Sequence, residues 1–154
     1  MSTTPHIAFH DYLASSRLYS EYALAVDSGD WDLWPEFLLV PRENHERGFP
    51  LATLLFESKG MLKDRVYGIR ETLFHPYYQR HVVSAPVVLA ASENRFEAQA
   101  NYAVFRTKLS RESTVFNVGR YIDVIERTPA GLKFATRLCV YDSEMIPNSI
   151  IYPI

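Results

Sequence analysis

Five histidines, His6, His10, His45, His75 and His81, and a single cysteine, Cys139, bound the metal and nucleophile chemistry open to this sequence. His6 and His10 stand four residues apart with Asp11 following. On a helix that spacing places two imidazoles on one face, as zinc sites require, but no third ligand recurs at a matching interval. His75 and His81 flank Pro76 and a change of element, which argues against the two-histidine, one-carboxylate set of a mononuclear iron site. One cysteine excludes an intrachain disulfide, a CxxC pair and an iron–sulfur cluster held by two Cys and two His. Within Leu138-Cys139-Val140 it reads as a small buried hydrophobe rather than a nucleophile. No GxSxG, GxGxxG or P-loop is present. The residues therefore point to no metal site, no cofactor-binding site and no nucleophile. What remains is acid–base chemistry from Asp64, His81, Tyr102, Asp123 and Asp142. In that reading His81 is a general base near neutral pH, oriented by Asp64 or Asp142. The competing reading makes Asp64-Arg65 and Arg80-His81 members of structural ion pairs.

These groups must be held by helices in the first half of the chain and strands in the second. Phe9, Tyr12, Leu13, Tyr19, Ala23 and Val26 follow a 3.6-residue period, and Ser28-Gly29 supplies a C-cap. Asp30 can cap a short helix starting at Trp31, with Pro35 in or near its first turn. A third helix is predicted over 58–74 from the stripe Leu62, Val66, Ile69, Leu73, with Pro76 as the stop. Beyond His75 the period changes to two. One strand is predicted over 82–91 with Pro86 at a bulge or edge. The next follows Phe96, Ala98, Ala100, Tyr102 and Val104. A third has Phe116, Val118, Ile122 and Val124 inward, against Asn117 and Asp123, and a fourth uses Leu132, Phe134, Leu138 and Val140. Turns near Asn94, Arg111 and Pro129-Ala130-Gly131 leave strands far longer than the common 5–6 residues. Such strands must twist and coil, with bulges expected near Pro86 and Gly119. Helices followed by an antiparallel meander is an α+β pattern.

The chain has 154 residues, one domain's worth, read as a single domain over 1–154 with a tail over 1–8. A net charge of −2 excludes the basic surplus of a nucleic-acid binder. No apolar run spans a bilayer and the N-terminal residues lack a signal pattern, so a cytoplasmic protein is expected. Aromatics make up 14%, and the 16 basic residues are twelve Arg and four Lys. Aromatics and Arg concentrate in protein–protein interface cores, where Lys is scarce, so the composition leans toward an obligate subunit.

Taken together, the segments resemble the small (beta) subunit of aromatic-ring-hydroxylating dioxygenases and hydroxylases. The resemblance rests on Asp30-Trp31-x-x-Trp34, Pro41-Arg42-Glu43-Asn44, Asp64-Arg65-Val66 and Arg80-His81-x-Val83-Ser84. It continues through Tyr102-x-Val104-Phe105-Arg106-Thr107, Val118-Gly119-Arg120 with Asp123, and Ala135-x-Arg137 with Asp142. The stretch from Glu57 to Gly68, with Pro76 to His81, looks most like the salicylate-hydroxylase branch. The resemblance implies a cone-shaped NTF2-like (cystatin-like) α+β fold, with N-terminal helices packed on a strongly curved antiparallel sheet. It implies a non-catalytic subunit, self-associated as a trimer and assembled with a large (alpha) subunit, three of each. That partner would carry a Rieske 2Fe-2S cluster and mononuclear Fe(II), with electrons from NAD(P)H through a reductase and a ferredoxin. The expected subunit contacts are Arg42, Glu43, Arg65, Arg80 and His81, with the run Ile150–Ile154 as the next candidate. The alternative is a free-standing dehydratase or isomerase of the same fold using His81 and Asp64. Only Pro35–Val40 separate Trp34 from Pro41, fewer residues than the family pattern, which leaves the first strand open.

Overall fold

The structure, a computed structural model, describes residues 7–29, 36–49, 52–56, 58–71, 77–142 and 154. The predicted second helix at Asp30–Pro35 lies outside those residues, as do His6, His75 and Pro76. The elements are α1 (Phe9–Ser28), β1 (Glu36–Pro41), α2 (Arg42–Glu46), β2 (Leu54–Phe56) and α3 (Lys59–Glu71). They are followed by β3 (Tyr77–Val83), β4 (Val87–Ala91), β5 (Arg95–Lys108), β6 (Ser113–Thr128) and β7 (Gly131–Tyr141). The strands form one curved sheet in the order β2-β1-β7-β6-β5-β3, with β4 also paired to β5.

α1 begins and ends as the sequence suggests. Gly29, in the left-handed region at φ 80°, returns its N–H to the carbonyls of Ala25 and Val26. Its buried stripe differs from the apolar one. Phe9 and Leu13 are exposed, and Asp11, Ser15, Tyr19, Tyr22 and Val26 face the sheet. Two polar residues can lie there because each has a partner: Arg127 for Asp11, and the main-chain oxygen of Asp11 for the Ser15 hydroxyl. α3 is capped by Ser58, whose Oγ accepts the Met61 N–H at 3.3 Å, and it buries Leu62 and Ile69.

The segment after Trp34, short as it is, does form a first strand. β1 runs parallel to β7 and antiparallel to β2, so the sheet is mixed rather than wholly antiparallel. After β1 the chain turns through the short helix α2, steadied by Arg42–Glu46 and Glu43–Arg47 pairs at i,i+4. The single strand predicted over 82–91 is two, because Ser84-Ala85-Pro86 interrupts it and β3 starts earlier, at Tyr77. Ser84 carries the ladder across the break. Its N–H donates to the Asn101 carbonyl and its Oγ accepts the Asn101 N–H, both at 2.9 Å.

Two β-bulges decide which residues line the core. Val104 pairs with Asn117 but Phe105 with Val115, leaving Phe116 extra; Val124 pairs with Thr136 but Ile125 with Phe134, leaving Ala135 extra. Each extra residue reverses the alternation beyond it. The inward face of β6 is therefore Asn117, Gly119, Tyr121, Asp123 and Ile125, and that of β7 near its end is Arg137, Cys139 and Tyr141. Val118, Ile122, Val124 and Leu138, read from sequence as core, lie on the opposite face. The bulge expected near Gly119 falls three residues before it, at Phe116, and the one expected near Pro86 falls three residues after it, at Leu89. The glycine instead permits close approach: a Cβ there would sit 2.2 Å from the Val140 carbonyl oxygen and 2.8 Å from the Tyr141 Cα.

The core lies between α1 and the concave face, around Tyr19, Tyr22, Phe96, Tyr102, Val104, Tyr121 and Ile125. Each large buried side chain contributes about 2–3 kcal/mol in apolar transfer. Ile154 also belongs to it: fully buried, its main-chain oxygen accepts the Tyr22 hydroxyl at 3.2 Å. This residue of the apolar run proposed as a subunit contact is therefore internal, and the rest of that run lies outside the described residues.

Candidate functional site

Asp123 and Arg137 face each other across the β6–β7 ladder, and both point inward. Arg137 donates from Nε and one Nη to the two oxygens of Asp123, each at 2.9 Å, and neither side chain has any exposed surface. The guanidinium carbon lies 3.9 Å from the ring centre of Tyr22, 4.0 Å from those of Tyr121 and Phe134, and 5.2 Å from that of Tyr19. Burial works against the charge, yet Asp123 more than offsets it and holds Arg137 well above its ordinary pKa. Burial likewise pushes the Tyr19, Tyr22, Tyr102 and Tyr121 hydroxyls up, so none is an acid near neutral pH. Asp123 is thus engaged with a cation rather than free as a base, and the pair sits in an aromatic cage on the inward side of the sheet.

His81 does meet a carboxylate, but not Asp64 or Asp142. Its Nδ1 lies 2.7 Å from Oδ1 of Asp27, at the end of α1, and its main-chain N–H donates to the same carboxylate. With Nδ1 tied to Asp27, Nε2 is the lone-pair position a general base would use. That atom is buried without a hydrogen-bond partner, and the imidazole has no exposed surface, so a substrate cannot reach it in this arrangement. Asp64 is exposed on α3. Asp142 is exposed and pairs with Arg42 at 3.2 Å. Tyr102 donates to Asn117 at 2.6 Å and stacks on Tyr121 with ring centres 4.3 Å apart.

Among the expected contact residues, Arg42 and Glu43 are exposed and already paired locally, with Glu46 and Arg47, while Arg65 is half-buried on α3. Arg80 is 71% exposed, with one Nη 3.9 Å from Asp27. His81, by contrast, is internal. His10 is exposed beside Asp11, and no cluster of three potential metal ligands occurs among the described residues. Burial raises the Cys139 pKa well above its ordinary value, so the thiol stays protonated. One cysteine cannot supply the two-cysteine, two-histidine set of a Rieske cluster.

Sequence reasoning missed Asp27, which looks like an ordinary polar residue before a helix C-cap. It also missed the clamp between Asp11 and Arg127. Arg127 reaches both Asp11 oxygens at 2.5 and 2.8 Å while its Nε donates to the Glu93 carbonyl, joining the first turn of α1 to the end of β6. The Arg127 hydrogen bond holds the Asp11 carboxyl below the usual carboxylate range. A carboxyl lowered on folding adds stability that is full above its unfolded pKa and lost as pH falls through the lowered value. Asp11→Asn should therefore cost about 1 kcal/mol of unfolding free energy between about pH 5 and 7, and the difference from wild type should shrink as pH falls through the lowered carboxyl value. Urea titrations across that range measure it.

Comparisons with known proteins agree with one another. A relative described as the small subunit of anthranilate 1,2-dioxygenase from Burkholderia cepacia is 28% identical over 145 residues, covering 89% of this chain and 90% of that one. A solved beta subunit assigned to an aromatic-ring-hydroxylating dioxygenase of Novosphingobium aromaticivorans superposes with a TM-score of 0.86 at 27% identity, covering 97% and 100%. The beta subunit of benzoate 1,2-dioxygenase from Burkholderia mallei shares the fold, with a TM-score of 0.71 at 13% identity, covering 99% and 100%. The α+β fold implied by the sequence resemblance, with helices on a curved NTF2-like sheet, is the fold of these subunits. Residues 22–148 match the ring hydroxylating beta subunit family, and the chain belongs to that family.

Proposed function

We propose that this chain is the non-catalytic small subunit of a terminal oxygenase, assembled with a large subunit as three of each. In this reading the large subunit supplies the Rieske cluster and the mononuclear iron, and NAD(P)H supplies electrons through a reductase and a ferredoxin. The substrate is an aromatic acid, salicylate or one close to it. The observation that carries the subunit role is the sheet's outer face. An antiparallel sheet with one face in water alternates apolar and polar residues, whereas one covered on both faces is apolar throughout. Here Val82, Val115, Val118, Ile122, Val124 and Leu138 oppose the core face, and Val82, Val115 and Val118 are exposed. Arg42, Glu43, Arg65 and Arg80 are candidates for the polar rim toward the large subunit.

The test is co-expression with a Rieske-type large subunit encoded beside it, followed by purification through a tag on either chain. Co-elution in equal amounts, and oxygen uptake with salicylate that requires both chains, is the expected result. A chain that never binds such a partner, or that turns over a substrate alone, overturns the reading. A dehydratase or isomerase using His81 has the close Asp27 contact in its favour, but the covered Nε2 and the engagement of Asp123 with Arg137 weigh against it.

A further inference from the structure

We infer that Arg106 and Asn117, on the inward face near the β5–β6 turn, bind a small monocarboxylate of the aromatic-acid class; the choice of ligand rests on the oxygenase reading above. Arg106 continues the buried face of β5 set by Tyr102 and Val104, and it pairs across the ladder with Gln79, buried on β3. Its guanidinium carbon lies 4.7 Å from the ring centre of Phe116 and 5.6 Å from that of Tyr77. Rings thus hold the flat group over their faces and leave its N–H edge for a planar acceptor. Nε is buried without a hydrogen-bond partner, the residue is half-buried, and among the described residues no carboxylate pairs with it. Arg127 and Arg137, by contrast, each fork onto a carboxylate of this chain. Asn117 supplies a second donor. The bulge turns both Phe116 and Asn117 to the inward side, where they are 4% and 2% exposed. Because Oδ1 of Asn117 accepts the Tyr102 hydroxyl at 2.6 Å, the amide has a fixed orientation, and its Nδ2 is buried without an acceptor. Buried donors in folded proteins are paired, whether by protein, water or ligand. One guanidinium and one neutral amide carry a single positive charge, which matches a monoanion with two coplanar oxygens rather than a phosphate dianion. Lys108, the next residue on this face of β5, is exposed and screened by solvent. The Tyr77 and Phe116 rings around the cation offer apolar surface to the body of an aromatic acid.

Titration of the isotope-labelled full chain with benzoate, salicylate, acetate and phosphate, read by NMR at the Arg106 Nε and Asn117 Nδ2 signals, tests the site. Benzoate and salicylate should shift both signals and bind with a Kd of about 1 mM or tighter. Acetate, which lacks the ring, should bind more weakly. Arg106→Gln and Asn117→Asp should each weaken benzoate binding by about tenfold or more. Arg106→Lys keeps the charge without the fork, is gentler on the fold, and should weaken binding as well. Circular dichroism and the thermal midpoint of each variant establish that it folds. A wild-type chain that binds no benzoate at about 20 mM overturns the inference. So do folded variants that bind as wild type does, and so does acetate or phosphate held as tightly as benzoate. Pull-down of the wild-type chain by the large subunit is scored separately. A chain that is captured but binds no carboxylate keeps the subunit role and loses this site; one that binds benzoate but is never captured keeps the site and loses the subunit role.

Discussion

Replacing Asp123 with alanine is expected to lower the unfolding free energy by about 3–5 kcal/mol, because the Arg137 charge is left buried without its counter-ion. Folded domains hold only about 5–15 kcal/mol in total, so the variant should be marginal at room temperature. The aromatic cage is no substitute, since a cation over a ring face gains only about 0.5–2 kcal/mol. Asp123→Leu combined with Arg137→Met removes both charges and keeps the volume near its original value. That pair should recover most of the loss. Urea midpoints for the two single variants and the double decide the matter. A single variant that loses less than about 1 kcal/mol, the range of an exposed pair, would mean that the ion pair is solvated in the working protein.

Gly119→Ala should be comparably severe. The new methyl meets the Val140 carbonyl oxygen and the Tyr141 Cα, both main-chain atoms that cannot swing away as a side-chain end can. Parting β6 from β7 at this point breaks ladder hydrogen bonds beside the core. Overpacking ordinarily costs about 1–3 kcal/mol, and here about 3 kcal/mol or more is expected because backbone must move. The thermal midpoint of the variant measures it; a change of a degree or two would show that the two strands have room to separate. Gly68→Ala, where the added carbon meets nothing within 4 Å, is the control.

The sequence made element types and turns legible more readily than the faces of the strands. α1 with Gly29 as its cap, the three hairpin turns and the length of β5 to β7 all follow from periodicity and turn chemistry. The phase of β6 and β7 does not. With both faces apolar, Val118, Ile122 and Val124 look as suitable for a core as Tyr121 and Ile125. The extra residues Phe116 and Ala135 have no side-chain signature that marks a bulge. Reading the phase one residue off placed Asp123 outward, where it looked like a free carboxylate in search of a reaction. Arg137 was visible only as part of a family motif, and its place opposite Asp123 required the register. His81 was singled out and is indeed buried against a carboxylate, but Asp27 belongs to α1. The distance along the chain, 54 residues, gives no hint of that contact.

The carboxylate of Asp27 has a consequence for how the molecule avoids unwanted pairing. β3 is an outermost strand, and the His81 N–H points away from β5, into the space where a foreign strand could add. Free edges of this kind template aggregation unless something blocks them. Here a negative charge from a neighbouring helix occupies the position an incoming carbonyl would need, and Ser84-Ala85-Pro86 breaks the same edge a few residues later. Growth from strand to strand is thereby blocked at this edge for as long as α1 stays docked.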